Sequence, residues 1–419
     1  MTSDEKRSVF AGLYGNALEW YDFLLYANFA PLFARYFFPM EVPFLSLLAT
    51  FAVFALGFLV RPLGGILLGL YADRLGRRQA LIISVCTMTA STLAIALLPG
   101  FNEMGMMAPL IFVGLRMVQG IAVGAELPGS TTFLIEHMSE KRRGFAGSLI
   151  LTTAFIGTLV GALVASLLSH AFSANFMLNI GWRLAYLFGA LLGLIGIYMR
   201  LKSIDPAVFA DNRHEKTSPI RSLLSTHRQE LLFAILLTGI LAIGNYLLIA
   251  WLTSFLVETR KFALSEALTV NVIGMLTLTL LIPVMGWLSD KLGRRPVFLA
   301  GALGLCVLIF PLFWLLLEKN WWYVLSAAMV FAALLAPLNA TVPTMLAEMF
   351  PTAMRATGVA AGYNLGQAFF GGTLPMVAFA LVEYTGNPYA PAFYVMAFAA
   401  IGLLVICLHR ETAHASLLA

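Results

Sequence analysis

The chain has 419 residues, of which 60% are apolar and only 11% charged, and its mean hydropathy is +0.87. A soluble domain carries about 25% charged residues, so a water-facing surface cannot be assembled from this composition and a soluble globular domain is excluded. The net charge of +5 and the pI near 9.1 then have to be explained by where the basic residues lie.

A helix needs about 20 mostly apolar residues to cross a bilayer. Twelve such stretches are predicted: 9–33, 43–69, 79–99, 106–134, 144–169 and 182–200, then 230–256, 265–288, 296–317, 322–347, 356–382 and 390–409. The alternation in blocks of about ten residues that marks a membrane barrel is absent, and helices satisfy their own backbone in lipid. The opening Met1-Thr2-Ser3-Asp4-Glu5-Lys6-Arg7, followed by a long apolar stretch that contains acids, does not read as a cleaved signal peptide. With the N-terminus placed in the cytoplasm, nineteen of the 26 Lys and Arg fall on the cytoplasmic side, five on the outer side, and Arg61 and Arg116 within spans. That asymmetry predicts an even number of helices with both termini cytoplasmic. The high pI therefore reports membrane orientation and gives no reason to invoke nucleic acid.

Ionisable residues inside spans are the informative ones, because a charge there costs several kcal/mol (about 3 or more) unless it is paired or used. In the first span Asn16, Glu19, Asp22 and Tyr26 fall on one helical face. The second contains Arg61, and the segment after it reads Gly69-Leu-Tyr-Ala-Asp73-Arg-Leu-Gly-Arg77-Arg78. In the fourth, Arg116, Gln119 and Glu126 share a face. If both faces turn inward, the acids and the arginine can pair. One reading is a fixed ion pair that only holds helices together; the other is that an acid gains and loses a proton, with Arg116 favouring the charged form. Asp22, Arg116 and Glu126, with Glu19 assisting, are the predicted proton-linked core.

The polar stretch 202–229, with Pro206 and Pro219, separates two sets of six spans: 1–201 and 230–419. The second half repeats the first. Gly286-Trp-Leu-Ser-Asp290-Lys-Leu-Gly-Arg294-Arg295 echoes residues 69–78, and Glu348…Arg355 echoes Glu136…Arg143. The first pair is expected to be loops that act as cytoplasmic latches, with Asp73, Arg77, Asp290, Arg294, Glu136, Arg143, Glu348 and Arg355 as the gate. Fixing topology is the alternative role for such basic loops. No Lys or Arg lies within any span of the second half, which argues against a tricarboxylate. That half offers Asn245, Tyr246, Trp251, Trp287, Asn339, Tyr363, Asn364, Gln367 and Phe370. Aromatic faces of this kind hold quaternary ammonium groups or simply pack. With Asn16, Tyr26, Arg61 and Gln119, the residues Asn245, Tyr246, Asn339, Tyr363, Asn364 and Gln367 are the expected substrate contacts.

No Gly-x-x-x-x-Gly-Lys-Ser/Thr loop, His-Glu-x-x-His or Gly-x-Ser-x-Gly occurs. The six histidines fall in loops or at span ends, and Cys86, Cys306 and Cys407 have no metal-ligand spacing. Neither an enzyme, a cofactor nor a bound metal is expected.

The two Gly-x-x-x-Asp-Arg/Lys-x-Gly-Arg-Arg segments resemble the signature of the major facilitator superfamily. Gly15-Asn16-Ala17-Leu18-Glu19-Trp20-Tyr21-Asp22-Phe23, Arg116-Met117-Val118-Gln119-Gly120, Gly181-Trp182-Arg183 and Ala347-Glu348-Met349-Phe350-Pro351-Thr352 narrow the likeness to its metabolite:proton symporter family. That family includes bacterial proline/betaine, α-ketoglutarate, citrate and shikimate transporters. The resemblance implies an all-α membrane protein of twelve transmembrane helices in two pseudo-symmetric six-helix bundles, with substrate held between them near the midplane. It implies a monomer in the inner membrane whose partners are a small-molecule substrate, the lipid bilayer and a proton as coupling ion. Gly124-Ala125-Glu126 departs from the family's usual Gly-Gly-Glu. The nine residues after Arg410 leave no coiled coil of the kind that osmosensing members carry, so that activation is not expected. An exporter on the same fold and a transport-inactive sensor or scaffold are the competing readings.

The charge distribution makes a direct prediction. A reporter domain fused after Ala419 should be active only as a cytoplasmic reporter; a periplasmic signal would overturn the twelve-span topology.

Overall fold

The structure is a computed structural model that describes residues 3–65, 67–68, 77–124, 126–201, 223–352, 354–413 and 417. The side chains of residues 3–13, 77, 78, 80 and 81 and of Glu126, Ser130, Phe133 and His137 are outside that description. Asp73 and most of the 202–229 linker therefore lie outside the described residues, as do the side chains of Arg77 and Glu126.

Twelve helical columns follow one another along the chain. They are α1 Ser3–Asn28, α2 Pro43–Gly65, α3 Arg77–Leu97, α4 Met107–Glu136, α5 Glu140–Ala171 and α6 Ala174–Leu201, then α7 Arg228–Glu258, α8 Leu264–Leu292, α9 Arg294–Leu316, α10 Trp321–Met349, α11 Arg355–Thr385 and α12 Ala390–Leu408. Ten of these are long and apolar enough to span a bilayer on their own; α1 carries Asn16, Glu19 and Asp22 in its middle, and the described apolar part of α3 is Ile82–Leu97. No strand occurs among the described residues.

Local chemistry accounts for the helix ends. Pro43 and Pro391 sit in the first turns of α2 and α12, where a missing N–H costs nothing. The first predicted span does not continue to residue 33 as one rod. It breaks at Phe29, and a second short helix, Ala30–Tyr36, starts with Pro31 in its first turn. Gly386 closes α11 in the left-handed region at φ +64°.

The expected loop over 286–295 is not a loop. Helix α8 runs 29 residues to Leu292, about 43 Å at 1.5 Å per residue, well beyond a hydrocarbon slab of about 30 Å. It carries Gly286, Ser289 and Asp290 as part of the helix. A single residue, Gly293 at φ +102°, makes the turn into α9, a conformation that costs a residue with a Cβ. Three further irregularities were not predicted: π-helical turns at Met177–Gly181 in α6, at Leu247–Trp251 in α7 and at Gln367–Gly371 in α11.

Within α1–α6, α1 packs on α5 and α6, α3 on α4 and α6, and α2 on α4. Within α7–α12, α7 packs on α10, α11 and α12, and α9 on α10 and α12. The two sets meet chiefly through α5 against α8, with α5 also touching α10, α2 touching α11, and α4 touching α10 and α11. Small residues allow the tightest of these approaches. A Cβ on Gly120 of α4 would stand 2.1 Å from the carbonyl oxygen of Gly57 on α2, one on Gly124 2.2 Å from that of Arg61, and one on Gly64 1.9 Å from that of Ile121. The α2–α4 contact is therefore backbone on backbone, and it brings Arg61 and Arg116 into one region.

Gly120→Leu should prevent that approach, because the obstacle is backbone that no rotamer change can move. The expected result is a protein that aggregates on detergent extraction or melts at least about 5 °C lower, as core overpacking of several kcal/mol implies; an unchanged melting curve would show that α2 and α4 can separate without cost.

Candidate transport site and gates

Helix α1 is buried on all sides through the middle of the bundle, and its polar residues reach four different neighbours. The Asn16 amide nitrogen donates to the Ile150 carbonyl (3.3 Å) and to Thr153 Oγ1 (3.2 Å) on α5. Glu19 is buried within electrostatic reach of the Tyr246 and Tyr363 hydroxyls. Asp22 faces α3, and the Tyr26 hydroxyl donates to the Thr50 carbonyl on α2 (2.7 Å). Sharing a face in sequence thus does not place these groups in one site. Ten residues of helix separate Asn16 from Tyr26 by about 15 Å of depth, and each level meets a different helix.

Asp22 and Arg116 are not in direct contact. They are joined by a hydrogen-bonded chain with one polarity. Arg116 Nη1 donates to Gln119 Oε1 (2.8 Å), Gln119 Nε2 donates to Thr92 Oγ1 (2.9 Å), and Thr92 Oγ1 donates to Asp22 Oδ2 (2.7 Å). All four side chains are buried. Every donor points toward Asp22, which ends the chain as an acceptor. The second Asp22 oxygen has no partner among the described residues. Arg116 is further held by the Phe23 carbonyl (3.2 Å) and by the faces of Phe23 (4.6 Å) and Tyr26 (4.4 Å). Thr92 was not anticipated. In the sequence it is one of five hydroxyls in the third span, with Ser84, Thr87, Thr89 and Ser91, and nothing there sets it apart. Tyr186 of α6, also not anticipated, is buried beside Asp22 and Arg116.

Arg61 is a different kind of arginine. It is 2% exposed, and among the described residues its Nε and Nη2 have no hydrogen-bond partner. Aromatic rings cage it: Phe58 at 4.1 Å, Phe23 at 4.2 Å and Trp20 at 5.5 Å from the guanidinium carbon. Trp20 is also a wall of a small cavity between the two helix sets, lined in addition by Phe155, Asn245, Tyr246, Tyr363 and Gln367. Among the described residues Trp20 Nε1, the Tyr246 hydroxyl and Gln367 Oε1 are buried there without partners, and the Tyr363 hydroxyl lies against the Gln367 amide without a well-aligned hydrogen bond. Buried polar atoms are almost always satisfied, so this concentration of unsatisfied ones around one bare guanidinium is the most unusual feature of the interior.

Other expected contacts are used differently. Asn245 and Asn339 donate to each other across α7 and α10 (2.9 and 2.8 Å), which consumes the amides and leaves Asn245 on the cavity wall as a braced surface. Asn364 donates to the Gly124 carbonyl of α4 (2.9 Å) and so clasps the two sets together. Trp251 stacks with Phe255, Phe313 and Phe379 in the core. Trp287 is half-exposed under Lys291, on the outside of the bundle, and Phe370 packs on Phe398.

The cavity is closed at both ends. On the face that carries the chain termini, Asp290 accepts from the Gly144 and Phe145 N–H groups at the start of α5 (2.8 Å each), and Arg355 Nη1 meets Glu136 Oε1 at 2.7 Å. Thr344 Oγ1 donates to the Arg143 carbonyl (3.2 Å). Arg294 bridges Asp290 (2.8 Å) and Glu348 (3.3 Å). On the opposite face the sets meet through Phe51 stacked on Phe379 (5.5 Å), a Ser166–Thr269 hydroxyl contact and one ion pair, Arg35–Glu258 (3.0 Å), with Arg35 61% exposed. An exposed ion pair contributes about 0.2–1 kcal/mol, whereas each hydrogen bond to a charged group contributes about 1.5–3 kcal/mol. The termini face is the more firmly shut. No cluster of His, Cys, Asp or Glu that could hold a metal occurs among the described residues.

Comparison with known proteins fits this architecture. The Major Facilitator Superfamily profile matches residues 13–279 and 265–418. A Staphylococcus aureus (strain COL) protein provisionally named a proline/betaine transporter is 33% identical, over 98% of this chain and 90% of its own length. The glycine betaine/proline/ectoine/pipecolic acid transporter of Dickeya dadantii (strain 3937) is 31% identical and the proline/betaine transporter of Escherichia coli (strain K12) 30%, each over 98% of this chain and 84% of its own length. Among solved structures, a D-xylose-proton symporter superposes with a TM-score of 0.78 at 18% identity, covering 100% of this chain and 98% of the other. A family profile spanning nearly the whole chain, relatives above 30% identity and a twelve-column helical bundle closed around a central cavity together place the chain in the Major Facilitator Superfamily, as an integral membrane transporter.

Proposed function

We propose that the chain is a proton-coupled symporter that imports a small carboxylate-bearing solute by alternating access, foremost an amino acid or betaine, with a small organic acid as the wider class. The observation that carries this reading is Arg61, a buried guanidinium whose Nε and Nη2 have no partner among the described residues, set among aromatic rings beside a cavity where Trp20 Nε1, the Tyr246 hydroxyl and Gln367 Oε1 also lack partners. A planar carboxylate matches the guanidinium fork, and Trp20, Tyr246, Tyr363 and Phe155 offer ring faces to a cationic or quaternary nitrogen. The names of the bacterial relatives, proline and betaine transporters, point to the same chemistry. The xylose symporter shares the fold alone.

Division of labour follows from the contacts. Arg116 is held by Gln119 and the Phe23 carbonyl and belongs to coupling; Arg61 has no partner on Nε or Nη2 among the described residues and belongs to substrate. In the coupling reading, an ionised Asp22 pulls the Thr92–Gln119–Arg116 chain taut. A proton on Asp22 removes that pull and releases Arg116 to a second arrangement, so the proton is a condition of alternation. Glu126 and Glu19 complete the acid set, and no cofactor is invoked. The weaker closure on the face opposite the termini suits loading from that side, which in the inner membrane with cytoplasmic termini is the outside. The halves 1–201 and 230–419 would move as units about the 202–229 linker, and a single chain suffices. An exporter would use the same acids; the direction of proton-driven flux separates the two.

Two measurements test the assignment. Arg61→Ala should weaken equilibrium binding of glycine betaine or proline by about 30-fold or more, the range for removing one partner of a buried charge pair, while Arg61→Lys recovers only part because it keeps the charge and loses the fork. Unchanged binding in Arg61→Ala would move the carboxylate elsewhere.

Asp22→Asn should abolish accumulation driven by an imposed pH gradient in proteoliposomes while leaving solute exchange measurable, and Glu126→Gln should do the same. Full gradient-driven accumulation in both variants would make these acids structural.

A further inference from the structure

Beyond α12 the chain folds back over the termini face, and residues 409–413 touch the gate. Glu411 Oε1 accepts from the N–H groups of Arg294 (2.9 Å), Ala413 (2.9 Å) and Thr412 (3.0 Å), and Oε2 accepts from that of Arg295 (3.0 Å). The carboxylate thus occupies the first turn of α9, against the one-residue break at Gly293. A Cβ at Gly293 would be 2.6 Å from Glu411 Oε2. Next to it, Thr412 Oγ1 donates to Glu348 Oε2 (2.5 Å), and Arg295 Nη2 donates to the Cys407 carbonyl (3.2 Å).

These contacts continue without a gap into the junction between the helix sets. Glu348, held by Thr412 on one oxygen, accepts from Arg294 Nη2 on the other. Arg294, whose backbone is held by Glu411, donates through Nη1 to Asp290 Oδ1 and to Ser289 Oγ. Asp290 receives the Gly144 and Phe145 amides of α5. Asp290 needs Arg294 to stay oriented, because a buried carboxylate that lost its cation would be strongly destabilised. Burial alone would raise the Glu411 carboxyl, but the Ala413, Arg294, Arg295 and Thr412 amides overcome this and hold it below the ordinary carboxylate range.

We propose that Glu411 and Thr412 are positioning residues of the transport cycle. They fix Arg294 and Glu348 in the geometry in which Asp290 engages α5, and so determine how long the termini face stays shut. The proposal rests on the reading of the Asp290–α5 contact as a gate. The mechanism needs no titration. It acts by geometry, through the one-residue turn that leaves α9 no slack relative to α8.

The test is an accessibility measurement on the full chain. Ser148 is fully buried on α5 beside Gly286 of α8, so a cysteine there is shielded while the termini face is shut and exposed when it opens. In a background with Cys86, Cys306 and Cys407 changed to Ser, Ser148→Cys is labelled with a membrane-impermeant maleimide in purified protein. Glu411→Gln and Thr412→Val should each raise the labelling rate about tenfold or more, the effect of losing one hydrogen bond to a charged group. Thr412→Ser should return it to the reference rate, which loss of packing alone would not do. Asp290→Asn serves as the gate control and should raise labelling at least as much. Faster labelling in Asp290→Asn with reference rates in Glu411→Gln and Thr412→Val would overturn the proposal and leave the tail as a local cap of α9. A reference rate in Asp290→Asn itself would overturn the gate reading and the proposal with it. Thr412→Val removes one hydroxyl from a partly exposed position, so folding is not at stake in that arm.

Discussion

The ring of Phe23 carries two guanidinium groups, Arg61 at 4.2 Å and Arg116 at 4.6 Å, in the middle of a bundle that is otherwise almost entirely apolar. Placing two like charges there is costly, since desolvation and mutual repulsion act in the same direction. The arrangement persists because α2 and α4 are locked together backbone to backbone by Gly57, Gly64, Gly120 and Gly124, which leaves neither arginine a route to lipid or water. The aromatic faces of Phe23, Phe58, Trp20 and Tyr26 supply part of the lost solvation. The remainder differs between the two: Arg116 finds Gln119 and a carbonyl, while Arg61 finds neither.

That inequality organises the interior. A cation bonded into a chain transmits a change in its partner, and Arg116 heads a chain with a single polarity ending at an acid. A cation with unpartnered donors attracts an anion, and Arg61 lies beside the cavity where, among the described residues, the Tyr246 hydroxyl, Gln367 Oε1 and Trp20 Nε1 also lack partners. Because both arginines share one ring, movement of either side chain is felt by the other.

The two closures differ in physical type. Opposite the termini, aromatic stacking and an exposed ion pair hold the sets together, and such contacts slide and re-form at small cost. On the termini face, a buried carboxylate takes the N-terminal amides of α5, where the helix dipole adds to the attraction. Glu136–Arg355 joins the sets a second time, and Arg143 lies in the field of Glu348, so the echoed Glu…Arg segments engage crosswise. The Gly293 turn and the Glu411 carboxylate brace this face from behind.

Composition, span lengths and basic-residue asymmetry determined the class and the twelve columns, because the cost of an unsatisfied backbone in lipid leaves few alternatives. Of the repeated Asp-x-x-Gly-Arg-Arg segments the copy at Asp290 lies at the closure, while Asp73 lies outside the described residues, and the ionisable residues Asp22, Arg61 and Arg116 lie buried in the core. Which acid meets which base was decided only by tertiary packing. Helical periodicity put Asn16, Glu19, Asp22 and Tyr26 on one face, but α1 has neighbours all round, so the four go to α5, toward α7 and α11, to α3 and to α2. Thr92 could not be distinguished from any other hydroxyl in an apolar span, and Glu411 read as part of a short polar tail. Asn245 and Asn339, 94 residues apart, satisfy each other, and nothing along the chain brings them together. Hydrogen bonds between distant residues depend on how helices pack around a shared cavity, and that arrangement is a property of the whole bundle that no local pattern encodes.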